Sequence, residues 1–189
     1  MHGHRPQDSW LHERIGDTVP DYELLAAQVL SLAEEDRHWS CVLSNASALV
    51  YAALNESVPD CRAPGTCDPA VPTVNWAGFY LMRSGRLVLG PFQGKAACVH
   101  IDLGRGVCGT AAATDGTQLV KDVHRFPGHI ACDSASNSEI AVPLHACDSV
   151  VGILDIDSPL LSHFTETDAR GLEAVARTIE DVTDFSDIV

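Results

Sequence analysis

Apolar positions recur at helical spacing in two stretches near the start of the chain and in one near its end. Pro20 to Glu56 predicts two amphipathic helices separated by a break at Asp36 to Ser40, with Asp21 placed to cap the first helix. The later stretch FTETDARGLEAVARTIEDVTDF predicts a third helix, capped by Thr165 with Asp168 at the capping-box position. We expect these helices to cover a sheet.

Between the helices, the pattern predicts strands joined by tight turns. Val74 to Met82 alternates as a strand, and Arg83 to Gly85 turns it into a returning strand from Arg86 to Gly90. Further on, a strand from about Glu139 turns at Asp148 and Ser149 into VVGILDID. No long crossover helices separate the strands. We therefore expect an α+β fold with about six strands in a mostly antiparallel sheet, and the N- and C-terminal helices packed on one face.

The length of 189 residues suits one well-buried core, so we expect a single domain over residues 20–189. Residues 1–19 lack the pattern of a secretory signal and are expected to form a flexible leader. Residues 57–73 contain four prolines and two cysteines, which predicts a loop. A disulfide, half of a zinc site and an incidental pair are all compatible with Cys61 and Cys67, and the absence of a CxxC motif disfavours zinc.

Charge and cysteine content narrow the functional classes. Acidic residues outnumber basic ones by 26 to 12, for a formal charge of -14, so nucleic acid and anionic membranes are not expected partners. No apolar run approaches the roughly 20 residues that span a bilayer. Seven cysteines without an export signal favour a cytoplasmic protein that uses thiols for redox chemistry or metal binding. Cys41, in the second helix, is expected to be a buried small residue.

Small and turn-forming residues surround Cys98, Cys108 and Cys132, which predicts a pocket built from loops. Cys108 follows the glycine-rich turn GRGVCG at the start of a short predicted helix. Unpaired N–H groups at a helix N-terminus favour a thiolate, so this position suits a reactive cysteine. A small residue at a crowded turn is the alternative interpretation.

Acidic and aromatic residues on the predicted strands supply further candidates. Asp155 and Asp157 share one face of the last strand, roughly 6.5 Å apart. Facing a cleft, they would bind a cation or hold a proton; facing solvent, they need no special role. Trp76 and Tyr80 share a face with Gly78, a pattern typical of core packing or of a pocket wall where something approaches the backbone.

Five motifs in this order, NWAGFYL, LVLGPFQGKAAC, GRGVCGTAAAT, DVHRFPGHIACDSASNSEI and VGILDIDS, resemble those of the free methionine-(R)-sulfoxide reductases. Members of that family are single GAF domains that reduce the free amino acid. The resemblance runs from about Tyr22 to Phe185. It implies that Cys132 is the catalytic cysteine, with Cys98 and Cys108 as its partners. The loop 57–73 is longer than in compact members, and no family role is carried over to it.

The same resemblance implies roles for the other candidates. The acids placed around the substrate match Glu139, Asp155 and Asp157, and the aromatics that shape the pocket match Trp76 and Tyr80. The implied reaction is reduction of free L-methionine-(R)-sulfoxide to L-methionine. Cys132 attacks the sulfur, and Asp157 is our choice of proton donor. Converging carboxylates repel one another, so at least one should keep its proton near neutral pH.

After oxygen transfer, Cys132 is a sulfenic acid that Cys108, as first choice, or Cys98 condenses to a disulfide. Glu139 and Asp155 are expected to bind the substrate ammonium group, and Trp76 to cover the S-methyl group. The backbone of the loop that includes Ile130 and Ala131 is expected to hold the carboxylate. No metal or organic cofactor is needed, and the expected reductant is a thioredoxin-type dithiol protein. A homodimer, common in the family, is compatible with this hypothesis.

Two other interpretations stay open at this point. The first is a non-catalytic GAF sensor that binds a small ligand, with its cysteines serving only as core packing. The second is a metal-binding protein that uses Cys98, Cys108 and Cys132 together with His124 or His129.

Overall fold

The computed structural model describes residues 19–56, 72–129 and 133–188. Within them the chain forms four α-helices and six β-strands, in the order α1 (Tyr22–Ala33), α2 (Trp39–Glu56), β1 (Trp76–Arg83), β2 (Arg86–Gly94), β3 (His100–Asp102), α3 (Gly106–Thr114), β4 (Gln118–Val120), β5 (Ser138–Ala146), β6 (Ser149–Ser158) and α4 (Glu166–Val182). Nearly all of the predicted leader and loop lies outside the described residues. None of the helices in the described ranges is long and apolar enough to cross a membrane.

The strands form one antiparallel sheet in the order β3-β2-β1-β6-β5-β4. Alternate residues of β1 face opposite sides of it. Phe79 and Leu81 pack into a large core with α1, α2 and α4, whereas Trp76 and Tyr80 pack into a smaller cluster with α3. The predicted α+β fold, its antiparallel sheet and its helix-covered face are confirmed.

Helix ends follow the predicted caps. The carboxylate of Asp21 accepts a hydrogen bond of 2.9 Å from the Leu24 N–H at the start of α1. At the start of α4, the hydroxyl of Thr165 accepts from the Asp168 N–H while the Asp168 carboxylate accepts from the Thr165 N–H. These reciprocal bonds satisfy N–H groups that the first turn of a helix leaves unpaired.

Strand β2 runs on to Gly94, so the predicted end at Gly90 is wrong. The register with β1 shifts between the pairs Gly78–Phe92 and Tyr80–Leu89, so that Pro91 falls at a bulge. Proline cannot donate a ladder hydrogen bond, and a bulge is one of the places in a sheet that accepts it. The extension matters because it places Lys95 to Cys98 beside the smaller cluster.

Candidate active site

The floor of the candidate site consists of three carboxyl side chains on β5 and β6. Glu139 pairs with Asp157, and Asp157 pairs on its other side with Trp76 of β1. Because directly paired residues project to the same face, these side chains lie on the α3 side of the sheet, and Asp155 joins them two positions along β6. Glu139 is 7% exposed and Asp155 is 6% exposed. The carboxyl groups therefore face a cleft and not solvent.

The pocket above this floor encloses about 30 Å³. Its lining brings together six residues that the sequence singled out: Trp76, Tyr80, Cys108, Glu139, Asp155 and Asp157. Arg105, Asp133 and Ser136 also line it, and the sequence had assigned them no role. His129 lies at the pocket too, beside His124, with ring centroids 6.4 Å apart.

Cys108 enters the pocket from the first turn of α3. Its Sγ lies 3.7 Å from Oε1 of Glu139, to which the thiol donates a hydrogen bond. Burial, and then the negative charges of Asp155 and Glu139, raise the pKa of the Cys108 thiol well above its usual value. The helix N-terminus by itself favours a thiolate, but these effects outweigh it. Cys108 is therefore a protonated thiol in this arrangement.

The three carboxyl groups also hold protons more tightly than in water. Burial raises the pKa of Glu139 and of Asp157 well above the usual value, and the charge of Asp155 raises both further. Burial raises the pKa of Asp155 to about 6, while hydrogen bonds from Cys108 and Glu139 oppose the rise. The expected raised pKa is confirmed, with burial as a larger cause than the mutual repulsion that we had invoked.

Aromatic residues form the wall of the pocket and hold the segment that carries Cys98. Trp76 stacks with Tyr80 and with Phe92, with ring centroids 5.9 and 5.3 Å away. The indole N–H of Trp76 donates to the Lys95 carbonyl, and the Tyr80 hydroxyl donates to the Cys98 carbonyl at 3.0 Å. These side chains are thus both core and pocket wall.

Gly78 lies between the two aromatic residues on this face of β1. A Cβ placed there would lie 2.3 Å from the Cβ of Phe92. The neighbour that approaches the backbone at this glycine is therefore a side chain of β2.

An ionic contact that the sequence pattern does not reveal lies beside the pocket. Nζ of Lys95 lies 3.1 Å from the carboxylate of Asp133, which also accepts hydrogen bonds from the Ala135 N–H and from the side-chain amide of Asn75. The bond from Ala135, with those from Lys95 and Asn75, lowers the pKa of Asp133. Lys95 and Asp133 stand in two quoted motifs, but nothing in the spacing pairs residues so far apart.

The described cysteines differ in state and exposure. Cys98 is disulfide-bonded, whereas Cys108 is free and buried. Cys41 and Cys147 are free and exposed. The expectation that Cys41 is buried is wrong: the helical repeat buries Val42 and Leu43 and turns Cys41 to solvent.

Three predicted site residues lie outside the described residues: Ile130, Ala131 and Cys132. The roles assigned to them stay predictions. Cys61 and Cys67, to which no role was assigned, lie outside the described residues as well. The order of preference between Cys108 and Cys98 as the resolving thiol also stays a prediction; in the structure Cys98 is disulfide-bonded and Cys108 is free.

The fold and pocket define a GAF domain, and a family model described as GAF domain matches residues 63–184. The free methionine-R-sulfoxide reductase of Escherichia coli is 48% identical over 145 residues, which cover 77% of this chain and 78% of that protein. The enzyme of the same name from Saccharomyces cerevisiae is 40% identical over 175 residues, covering 89% of this chain and 90% of that protein.

A solved structure of another protein of this name is also similar to the chain. The free methionine-R-sulfoxide reductase of Neisseria meningitidis in complex with its substrate is 37% identical, with a TM-score of 0.74, over 89% of this chain and 94% of that chain. The chain therefore belongs to the free methionine-R-sulfoxide reductase family of GAF domains.

Proposed function

We propose that this protein reduces free L-methionine-(R)-sulfoxide to L-methionine. One observation supports the proposal most: a buried thiol, two buried carboxyl groups and the half-buried carboxyl group of Asp157 line one pocket in a chain that is 48% identical to a reductase of this name. Sulfoxide reduction needs a sulfur nucleophile and a proton for the departing oxygen. The pocket supplies the carboxyl groups, and the proposed nucleophile, Cys132, comes in the sequence directly before Asp133, which lines the pocket.

In the proposed reaction the thiolate of Cys132 attacks the sulfoxide sulfur. The S–O bond breaks, its oxygen passes to the cysteine, and the products are methionine and a sulfenic acid. A second thiol then attacks the sulfenic sulfur, which forms a disulfide and releases water. The substrate gains two electrons and the two cysteines together lose two.

Asp157 is the proposed proton donor. Burial and the neighbouring charge of Asp155 raise its pKa well above the usual value, so it holds its proton more tightly than an exposed carboxyl group does. Asp155, whose pKa is about 6, loses its proton first and suits the positive ammonium group of the substrate, together with Glu139. An amino acid within a peptide chain has no such ammonium group, which accounts for a preference for the free amino acid.

The remaining contacts follow from the shape of the pocket. Trp76 covers the S-methyl group with the part of its indole ring that lines the pocket, while Tyr80 supports the wall. The backbone N–H groups around Ile130 and Ala131 hold the substrate carboxylate. We keep these last contacts as predictions from the sequence.

Cys98 is our preferred resolving thiol, and Cys108 takes second place. Cys98 is disulfide-bonded in the structure, which supports a role in the oxidised state. Cys108 is free, buried and protonated, which suits it to the acid cluster. A thioredoxin-type dithiol protein then reduces the disulfide by thiol exchange, a cycle that suits a reducing compartment such as the cytoplasm. A homodimer remains compatible with the proposal.

A coupled assay tests the proposal. With a thioredoxin system as electron donor, wild-type protein should reduce the free R epimer, leave the S epimer unchanged and reject the R sulfoxide within a peptide. Cys132→Ser should abolish turnover, and Cys147→Ser, at an exposed free thiol, should not. Binding of the R epimer without any reduction by the wild type would instead favour a GAF sensor.

A further inference from the structure

One thiol and two carboxyl groups meet in the pocket. The thiol of Cys108 and one carboxylate oxygen each from Glu139 and Asp155 all lie within 4.8 Å of one another. Cys108 is 3% exposed, Glu139 7% and Asp155 6%. Water does not compete strongly for groups buried to this extent.

A second observation concerns Asp155 alone. Its Oδ1 is buried and has no hydrogen-bond partner among the described residues. A buried carboxylate oxygen without a partner is costly, so this atom calls for a positively charged or hydrogen-donating occupant of the pocket: the substrate ammonium in the proposed function, or a cation in its place. The only other buried side-chain oxygen or nitrogen in that condition within the described ranges belongs to Asn75.

From this geometry we infer that Cys108, Glu139 and Asp155 form a site for a thiophilic divalent cation, Zn²⁺ above all, which excludes the amino-acid substrate. Zinc bonds of about 2.3 Å to sulfur and 2.0–2.2 Å to oxygen, at tetrahedral angles, place the two donor atoms about 3.6 Å apart. The distance from Sγ of Cys108 to Oε1 of Glu139 is 3.7 Å. Binding therefore needs little movement of these two groups.

The donor set selects the metal. A thiolate ligand favours Zn²⁺ over Mg²⁺ and Ca²⁺, which prefer shells made of oxygen. Three protein ligands leave the fourth tetrahedral position for water. The free volume of about 30 Å³ accommodates an ion and a water without opening the pocket. As the Zn–S bond forms, the S–H bond breaks and the proton leaves to solvent.

The competition that we infer rests on the proposed function, because the same carboxyl groups are assigned there to the substrate ammonium and to its pocket. An ion held between Cys108, Glu139 and Asp155 takes those oxygens from the substrate. Zinc is therefore a reversible inhibitor of the reduced protein in this account, and a chelator restores activity.

Isothermal titration of the fully reduced protein with Zn²⁺ alone tests the site. Asp155→Asn and Glu139→Gln, which leave every thiol in place, should each weaken one binding event at least tenfold, and Cys108→Ser should do the same. Cys147→Ser and Cys41→Ser, at exposed free thiols, are matched controls and should leave it unchanged. A site made only of other thiols would keep its affinity in Asp155→Asn and Glu139→Gln, and that result would overturn the inference.

Cd²⁺ provides a readout that is independent of affinity. It should produce a thiolate-to-metal charge-transfer absorbance that is lost in Cys108→Ser and persists in Cys147→Ser. Thermal unfolding without metal checks that each variant is folded. If a carboxyl variant fails to fold, the Cd²⁺ spectrum of the wild type still tests the inference. No such absorbance in the wild type would overturn the inference.

Competition with the product separates this inference from the proposed function. L-Methionine occupies the pocket without oxidising the protein, so it should weaken Zn²⁺ binding in proportion to its own occupancy. Zinc binding that is sensitive to Asp155→Asn, in a protein that reduces no methionine sulfoxide, would retain the metal site and reject the reductase. Reduction of methionine sulfoxide by a protein whose Zn²⁺ affinity is unchanged by all three ligand substitutions would retain the reductase and reject the metal site.

Discussion

Asp155 and Asp157 are chemically identical and stand two positions apart on β6, yet the pocket gives them different proton affinities. Hydrogen bonds from Cys108 and Glu139, and one from the Ile156 N–H, oppose the effect of burial at Asp155, and its pKa is about 6. Burial and the charge of Asp155 hold the pKa of Asp157 well above its usual value. Two carboxyl groups on one strand face thereby differ in how tightly they hold a proton, which suits the two roles proposed for them.

Removing the Asp157 proton should slow the reaction more than removing a wall contact. General acid catalysis contributes about 100-fold or more, so Asp157→Asn should lower kcat by at least that factor. Tyr80→Phe loses a hydrogen bond to the Cys98 carbonyl but keeps the ring, and we expect a loss below about tenfold. Steady-state kinetics on free methionine-(R)-sulfoxide measure both. A larger loss in Tyr80→Phe would remove Asp157 as the proton donor.

The pH dependence of kcat/KM tests the role of Asp155. Its carboxyl group must be ionised to bind the substrate ammonium, and its pKa is about 6. The value of kcat/KM should therefore rise as pH increases from about 5 to about 7, with an apparent pKa near 6. In Asp155→Asn this acid limb should disappear along with most of the substrate affinity. An unchanged limb in the variant would assign the titration to another group.

The sequence predicted much of the site because the decisive residues share local patterns. Asp155 and Asp157 alternate along one strand, and Trp76 and Tyr80 alternate along another. By contrast, the contact between Lys95 and Asp133 depends on how the end of β2 meets a distant segment. The two residues of this contact belong to no shared repeat pattern, so a single sequence does not reveal that they are neighbours.

At the scale of elements, α1 and α4 meet where α4 has no side chain. A Cβ placed at Gly171 would lie 2.1 Å from the ring of Tyr22. The hydroxyl of Tyr22 donates to the Asp168 carboxylate at 2.8 Å, one turn earlier on α4. Gly171 is therefore a packing requirement, although by helix propensity alone it weakens α4.

Gly171→Ala gives opposite predictions for these two effects. Helix propensity alone would stabilise the protein by about 1 kcal/mol. Overpacking against Tyr22 should instead destabilise it by about 1–3 kcal/mol. Urea unfolding of the wild type, Gly171→Ala, Tyr22→Ala and the double variant measures the interaction between the two positions. A stabilised Gly171→Ala would contradict the close approach of the two helices.

His145 lies near the end of β5, at the opposite end of this strand from Glu139, and it connects β5 to α3 and α4. Its ring nitrogens lie 2.9 Å from Glu180 of α4 and 2.7 Å from Asp115, the residue that ends α3. Burial lowers the pKa of His145, but the hydrogen bonds and charges of Asp115 and Glu180 outweigh it, and the net pKa is raised.

A raised histidine pKa fixes the direction of the pH effect on stability. The contribution is fully present below the unfolded-state pKa of about 6.5 and is lost as pH rises through the folded-state value. His145→Ala should therefore destabilise the protein near pH 6, by about 1 kcal/mol since these pairs are partly exposed, and by less near pH 9. Thermal unfolding at both pH values checks this. An equal loss at the two values would show that packing and not charge decides it.

The fold could be predicted from its periodic elements. The prediction failed at the end of β2, where one residue departs from the strand pattern. The amphipathic stripe of α4 and its capping box are local signals, and both hold in the structure. Strand β2 continues past the predicted end at Gly90, because a bulge opposite Phe79 accommodates Pro91, which lacks an N–H. A bulge is set by how two strands pair, which the residues of one strand do not specify.

At the scale of the whole molecule, the large hydrophobic core and the candidate site lie on opposite faces of the sheet. One face packs against α1, α2 and α4 in the larger core, and the other face holds the acids and α3. Buried carboxyl groups with raised pKa values do not stabilise a fold near neutral pH, so they need support from elsewhere. The larger core on the opposite face supplies that support.

We propose centrally that Cys132 accepts the sulfoxide oxygen and that Cys98 then converts the resulting sulfenic acid to a disulfide. A single-turnover experiment tests it: reduced protein is mixed with excess free methionine-(R)-sulfoxide without any reductant, and methionine and disulfides are quantified by mass spectrometry. We predict about one methionine per chain, a disulfide between Cys132 and Cys98, no methionine from Cys132→Ser, and wild-type methionine without that disulfide from Cys98→Ser. A full equivalent of methionine from Cys132→Ser would contradict the account.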